Sequence, residues 1–151
     1  SIEILAEPFN GFQMVGYAYR QTPDEPGVRV DLVRVRALMV PPGIPDFMTR
    51  VRLVEAGPVT LKGRAWAGRA SIARVEVSVD DGATWADAEL EPEGSPYAWR
   101  GWSFAWDAEP GRHTLSVRAT DDAGDVQPTE QSWTVAGLGN NMAQRVNVIV
   151  E

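Results

Sequence analysis

Between Gly57 and Glu151 apolar and polar residues alternate with period two in four separate stretches. In "PVTLKGRAW", Val59, Leu61 and Ala65 fall on one side and Thr60, Lys62 and Arg64 on the other. "IARVEVSVD" sets Val75, Val77 and Val79 against Arg74, Glu76 and Ser78. "RHTLSVRATD" turns Leu115, Val117 and Ala119 inward and Thr114, Ser116, Arg118 and Thr120 outward, and "RVNVIV" puts Val146, Val148 and Val150 together. Side chains of a strand point alternately to opposite faces, so each stretch offers one apolar face to a core. Gly, Pro and Asp clusters separate the stretches, and no long segment carries the 3.6-residue helical period. The pattern predicts an antiparallel sandwich or barrel with few helices, leaving room for a helical turn near "NNMAQ".

The turns between the stretches hold the acidic clusters. Asp80-Asp81-Gly82 supplies the residues a tight hairpin needs. Asp121, Asp122 and Asp125 surround Gly124 in the same way. Both clusters also have the oxygen chemistry of a calcium site, although neither spacing matches a helix-loop-helix calcium loop. Aspartate is a turn former in its own right, and the turn reading is preferred.

The first 56 residues differ. "PFNGFQMVGYAYRQTPDEPG" is aromatic and loop-like, "VRVDLVRVRALMV" reads as one long strand, and "PPGIPDF" packs three prolines and a glycine into a short run. Proline fixes φ and donates no ladder hydrogen bond, so that run is expected to be a stiff extended connector rather than a strand. The best division is 1–42, a connector at 43–56, and a sandwich at 57–151. Arg34 with Arg36, and Arg50 with Arg52, form two short period-two stripes. They suit a solvated or carboxylate-paired strand face, with an anion or the acidic face of a partner as the other reading.

Composition removes several function classes. A net charge of −7 disfavours a phosphate-backbone partner. No run approaches the length of a membrane-spanning helix. No cysteine is present, which excludes thiolate metal sites and cysteine nucleophiles. His113 is the single histidine, so any histidine-based triad must use it, and no nucleophile with an orienting third group stands out. Neither phosphate-loop spacing nor HExxH, GxSxG or CxxC occurs. Thirteen of the 14 basic residues are arginine, which suggests a GC-rich bacterial source. "SIEILAEPF" reads like sequence from within a protein, so a fragment or a processed chain is expected. The compartment is not fixed, with periplasm preferred over cytoplasm.

Six tryptophans, Trp66, Trp85, Trp99, Trp102, Trp106 and Trp133, all lie beyond Gly57, with Tyr97 and Phe104 interleaved. Filling a core or a subunit interface suits their large apolar area. An exposed platform stacking on sugar rings is the other reading. In "YAWRGWSFAW" the rings at 97 and 99 alternate separately from those at 102, 104 and 106, which predicts a bulge or bend at Arg100-Gly101.

The order of the segments carries a resemblance. "GRAWAGRASIARVEVSVDDGATWADAEL", then "YAWRGWSFAWDAEPGRHTLSVRATDDAGDVQP", then "GLGNNMAQRVNVIV" together resemble the C-terminal domain of the sulfite oxidase family of molybdopterin-dependent oxidoreductases. "RVRALMVPPGIPDF" resembles the connector of bacterial members, and "PFNGFQMVGYAYRQ" the end of their catalytic domain. The resemblance implies a mostly β protein, an immunoglobulin-like antiparallel β-sandwich over 57–151 preceded by an extended arm. It implies a dimerisation role, with a homodimer and the molybdopterin catalytic domain of the parent protein as partners. It also implies that no cofactor is bound by this chain, since the family's molybdenum sits on a cysteine thiolate in the preceding domain. No catalytic residue is assigned. Trp66, Trp85, Trp99, Trp102, Gly137, Asn140 and Asn141 are the candidate interface or family-motif residues. Some sulfite oxidases carry a substrate-binding arginine just before the glycine of the final loop. The matching position here is Ala136, which weighs against sulfite as the parent's substrate. The competing class is a secreted immunoglobulin-like carbohydrate-binding or adhesion module, which exposed coplanar tryptophans would favour.

Overall fold

The alternation read from Gly57 onward becomes two sheets packed face to face. The computed structural model describes residues 2–9, 11–95 and 97–151. Strands β3 (Arg36–Val40), β6 (Gly57–Trp66), β10 (Arg100–Ala108) and β9 (Glu89–Leu90) form one sheet in the order β3-β6-β10-β9. The second contains β4 (Ile44–Pro45), β5 (Arg52–Val54), β12 (Gln144–Val150), β11 (Gly111–Asp121), β7 (Ile72–Ser78) and β8 (Ala86–Asp87), in that spatial order. All of its pairings are antiparallel except β5 with β12. The arm carries α1 (Phe12–Gly16) and a two-stranded ribbon, β1 (Ala18–Tyr19) with β2 (Val28–Arg29).

The core draws on both inner faces, as a sandwich requires. Ala37, Met39, Leu61, Ala65, Trp102 and Trp106 come from the four-stranded sheet. Val75, Val77, Leu115, Val117, Val146 and Val148 come from the six-stranded one. Each large aliphatic side chain hidden there contributes about 1.5–3 kcal/mol.

Several expectations change. "VRVDLVRVRALMV" is not one strand: β2 ends at Arg29 and β3 begins at Arg36. The first piece pairs with β1 in the arm and the second with β6 in the sandwich, so the alternation reflects two separately half-buried segments. The proline-rich stretch is extended, yet Ile44 and Pro45 do pair, with Leu53 and Arg52. This works because β4 is an edge strand, where a missing donor is tolerated. The Arg52 guanidinium donates to the carbonyls of Pro41, Pro42 and Gly43, giving partners to a run that ladder bonds would leave bare. Through β3, β4 and β5 the two sheets include chain ahead of Gly57.

No bulge occurs at Arg100-Gly101. β10 starts at Arg100 and pairs with β6 without interruption to Ala108. The change in aromatic phase arises because Tyr97 and Trp99 precede the strand. The only helix among the described residues is α1, within the segment read as loop, and "NNMAQ" contains none.

Two polar residues on the outer face of β7 are also buried. Glu76 receives Arg118 in a two-pronged contact at 2.8 and 3.1 Å and Arg74 at 3.1 Å. Arg118 in turn lies 4.2 Å from the Trp85 ring centre, so the aromatic face covers the ion pair from solvent. Ser78 is buried because its hydroxyl accepts the Gly82 amide and donates to Asp80.

Candidate functional site

The turn after β7 uses its acids internally. One oxygen of Asp80 accepts the Ser78 hydroxyl at 2.7 Å and the Thr84 amide at 2.9 Å, and the other accepts the Thr84 hydroxyl at 2.6 Å. These bonds, the Thr84 hydroxyl first, hold the Asp80 carboxyl down at about 2. Asp81 receives Arg145 at 3.1 Å and sits at φ 59°, with Gly82 at φ 86°, so the chain reverses through two left-handed positions. Asp121 accepts the amides of Ala123 and Asp125 around Gly124. Among the described residues no three His, Cys, Asp or Glu side chains stand together as a metal site. His113 packs edge-on against Trp106, 5.3 Å between ring centres, and its Nε2 lies 2.8 Å from the Glu109 carbonyl, so it closes the β10–β11 turn.

The stripe at Arg34 and Arg36 has a structural use. Arg34 donates to the Gly139 carbonyl and stacks 4.2 Å from the Tyr19 ring centre, and Arg36 donates to the Asn140 carbonyl. Asn141 is buried and its amide donates to the Val35 carbonyl. Asn140 turns its side chain back onto the Met142 amide. Gly137 and Gly139 both adopt positive φ. A Cβ at Gly139 would stand 2.3 Å from the Tyr19 ring, so only glycine lets the loop reach the arm. "GLGNN" is therefore the clasp between the arm and the sandwich. A cleft of about 630 Å³ opens beside it, lined in part by Tyr19, Arg29, Arg34, Arg69, Asp121 and Asn141.

The tryptophans divide. Trp102 and Trp106 are core. Trp102 crosses directly over Gly63, where a Cβ would meet its ring at 2.6 Å and the Leu38 carbonyl at 1.9 Å. Trp85 covers the Glu76–Arg118 pair. Trp66 and Trp99 touch at 5.7 Å with a 31° tilt, so they do not form one flat platform. Trp99 and Trp133 are largely exposed.

Gln127, in the "VQP" string, was not singled out from the sequence. Its side-chain oxygen accepts the Ala37 amide of β3 and the Ala119 amide of β11, tying one sheet to the other. Gln144 accepts the Met39 amide similarly. Together they occupy the outward amides of an edge strand.

The residues present do not fit a molybdenum site. The chain has no cysteine for a thiolate ligand, and no cluster of alternative donors exists among the described residues.

Comparison with known proteins agrees with this architecture. Residues 35–151 match the family model of the Mo-co oxidoreductase dimerisation domain. Mitochondrial sulfite oxidase of Mus musculus is 39% identical over 107 residues, covering 65% of this chain and 20% of that protein. Nitrate reductase [NAD(P)H] of Hordeum vulgare is 30% identical over 135 residues, covering 83% of this chain and 15% of that protein. The chain thus spans a fifth or less of the length of these relatives. The crystal structure of the sulfane dehydrogenase SoxCD from Paracoccus pantotrophus shares the fold, with a TM-score of 0.70 and 24% identity over 89% of this chain and 37% of that one. The match covers the whole sandwich, including the strands ahead of Gly57, and the chain belongs to the Mo-co oxidoreductase dimerisation domain family.

Proposed function

We propose that this chain is the self-association part of a molybdenum-dependent oxidoreductase of the sulfite oxidase type, whose molybdopterin centre is held by a different domain. The observation that carries the reading is the family match over residues 35–151, the span that builds both sheets. Two features support a scaffolding role over chemistry. The single histidine and the acidic clusters are engaged in turns, and the donor set lacks a thiolate. The arm exposes Ile4, Leu5, Phe9, Phe12 and Tyr17 while its inner side is clasped by "GLGNN". These exposed apolar side chains are where the cofactor-bearing domain would rest, since large apolar groups left bare in number mark a contact surface.

The chain is then a two-sided adaptor, one side joined to the catalytic domain and the other to a second copy. Sedimentation velocity over a concentration series tests this. A reversible monomer–dimer equilibrium is expected, and a species that stays monomeric into the high micromolar range would count against the reading.

A further inference from the structure

The charges on the outer face of the four-stranded sheet are ordered. Leu61 and Ala65 of β6 and Trp102 of β10 point into the core, so Lys62, Arg64, Gly101 and Ser103 point away from it. The register sets these residues in level rows. In one row, Arg64 stands on β6, Gly101 on β10, and Glu91 just past the end of β9, its amide donating to the Gly101 carbonyl. In the next, Lys62 stands on β6, Ser103 on β10 and Glu89 on β9. Each row thus has a base on one side of β10, a small residue on β10 itself and an acid on the other side.

The first row is closed within one copy. Arg64 and Glu91 meet at 2.9 Å, directly over Gly101, where a Cβ would stand 1.9 Å from the carboxylate and 2.1 Å from the guanidinium. The second row is open. Neighbouring strands lie about 4.8 Å apart, so Lys62 and Glu89 are two strand spacings from each other with Ser103 between. Both are exposed, and neither has an ion-pair partner among the described residues. Beyond the Arg64 row stands an aromatic one. Trp66, opposite Arg36, touches Trp99, which immediately precedes β10 and is largely exposed.

We infer that a second copy of the chain docks on this face about a two-fold axis running along β10. The inference rests on the self-association reading above. A half-turn about a line over β10 keeps every row at its own level and exchanges the two sides of that row. It sets Lys62 of each copy over Glu89 of the partner subunit, twice by symmetry. It also brings the two Trp99 rings together on the axis, with a Trp66 on either flank. Lysine and glutamate side chains are long enough to reach across the about 10 Å between packed sheets, and Gly101 and Ser103 keep the centre line low.

Charge selects a second copy over another partner. A face of one sign repels its own copy, whereas these two rows carry two bases and two acids placed oppositely about β10. Such a face is complementary to itself, which is what an isologous contact requires. Tryptophan is also the residue type most enriched among interface anchors. Asp107 marks the limit of the contact. It lies at the other end of β10, opposite Pro58, where two copies of it would meet across the axis. Twisted sheets packed face to face cross at about 30° and separate away from the crossing, so the contact centres on the Trp99 end.

The test compares charge variants of the 151-residue chain by sedimentation equilibrium, with cooperative thermal unfolding to confirm folding. Lys62→Glu alone and Glu89→Lys alone each place like charges at both contacts, and each is expected to raise the dimer dissociation constant by about tenfold or more. An equal mixture of the two variants restores opposite charges at both contacts, and its mixed dimer is expected to match the parent within about threefold. No pairing inside one chain gives that restoration. Trp99→Ala is expected to weaken the dimer by about tenfold or more, and Phe47→Asp, in the β4–β5 turn of the other sheet, by less than about threefold. Folded charge variants that dimerise as tightly as the parent would overturn this face and leave self-association standing. Variants weakened alone but not restored by mixing would overturn the axis along β10. A parent chain that never dimerises would overturn both this face and the self-association reading.

Discussion

The Gln127 side-chain oxygen accepts the Ala37 amide at 2.7 Å while also accepting the Ala119 amide at 3.2 Å, so one buried atom joins the two sheets. Gln127→Leu keeps the bulk but leaves two buried donors without an acceptor. Each such orphan costs about 1–3 kcal/mol. The variant is expected to lose about 2 kcal/mol or more in urea unfolding. Gln144→Leu, which orphans only the Met39 amide, should lose roughly half as much.

Gly63 sits beneath Trp102, and a methyl group there would overlap both the indole and a backbone carbonyl. Gly63→Ala cannot be relieved by a rotamer change alone, because the Leu38 carbonyl belongs to the adjoining strand. A loss of about 3 kcal/mol or more is expected, with a changed tryptophan signal in near-ultraviolet circular dichroism.

Removing one member of the covered ion pair exposes its energetics. Arg118→Met leaves the Glu76 carboxylate buried with only Arg74 to answer it. Such a break costs about 3 kcal/mol, whereas replacing both partners, Glu76→Leu with Arg118→Met, should cost clearly less. A double-mutant cycle in thermal unfolding reads the difference.

The Asp80 carboxyl is held at about 2 against an ordinary value of 3.8. A lowered folded value means the carboxylate stabilises the fold above the ordinary value and that this contribution fades as pH falls from about 4 through about 2. Asp80→Asn should flatten the dependence of melting temperature on pH across that window. A carboxyl resonance of Asp80 titrating near 3.8 would contradict the assignment.

The four alternating stretches were legible because each has one neighbour face and one solvent face. Glu76 and Ser78 broke the pattern, since the groups that bury them, Arg118, Trp85 and Asp80, belong to other strands or turns. The long stretch Val28–Val40 misled for the opposite reason: two short half-buried segments in series look like one. "GLGNN" stands out as a string and "VQP" only closes a longer one, but their meaning, a clasp on the arm and an oxygen shared by two sheets, exists only once β3 lies between them. The level rows of the four-stranded sheet are hidden most completely. Lys62 and Glu89 come level only because β10 pairs with both β6 and β9.

The scaffolding role requires this chain to associate with itself. Native mass spectrometry of an equal mixture of ordinary and ¹⁵N-labelled chain tests that directly. Beside the 16.5 kDa monomer, three dimer masses are expected, of which the mixed one is the most abundant. Monomer masses alone, at concentrations well into the micromolar range, would contradict it.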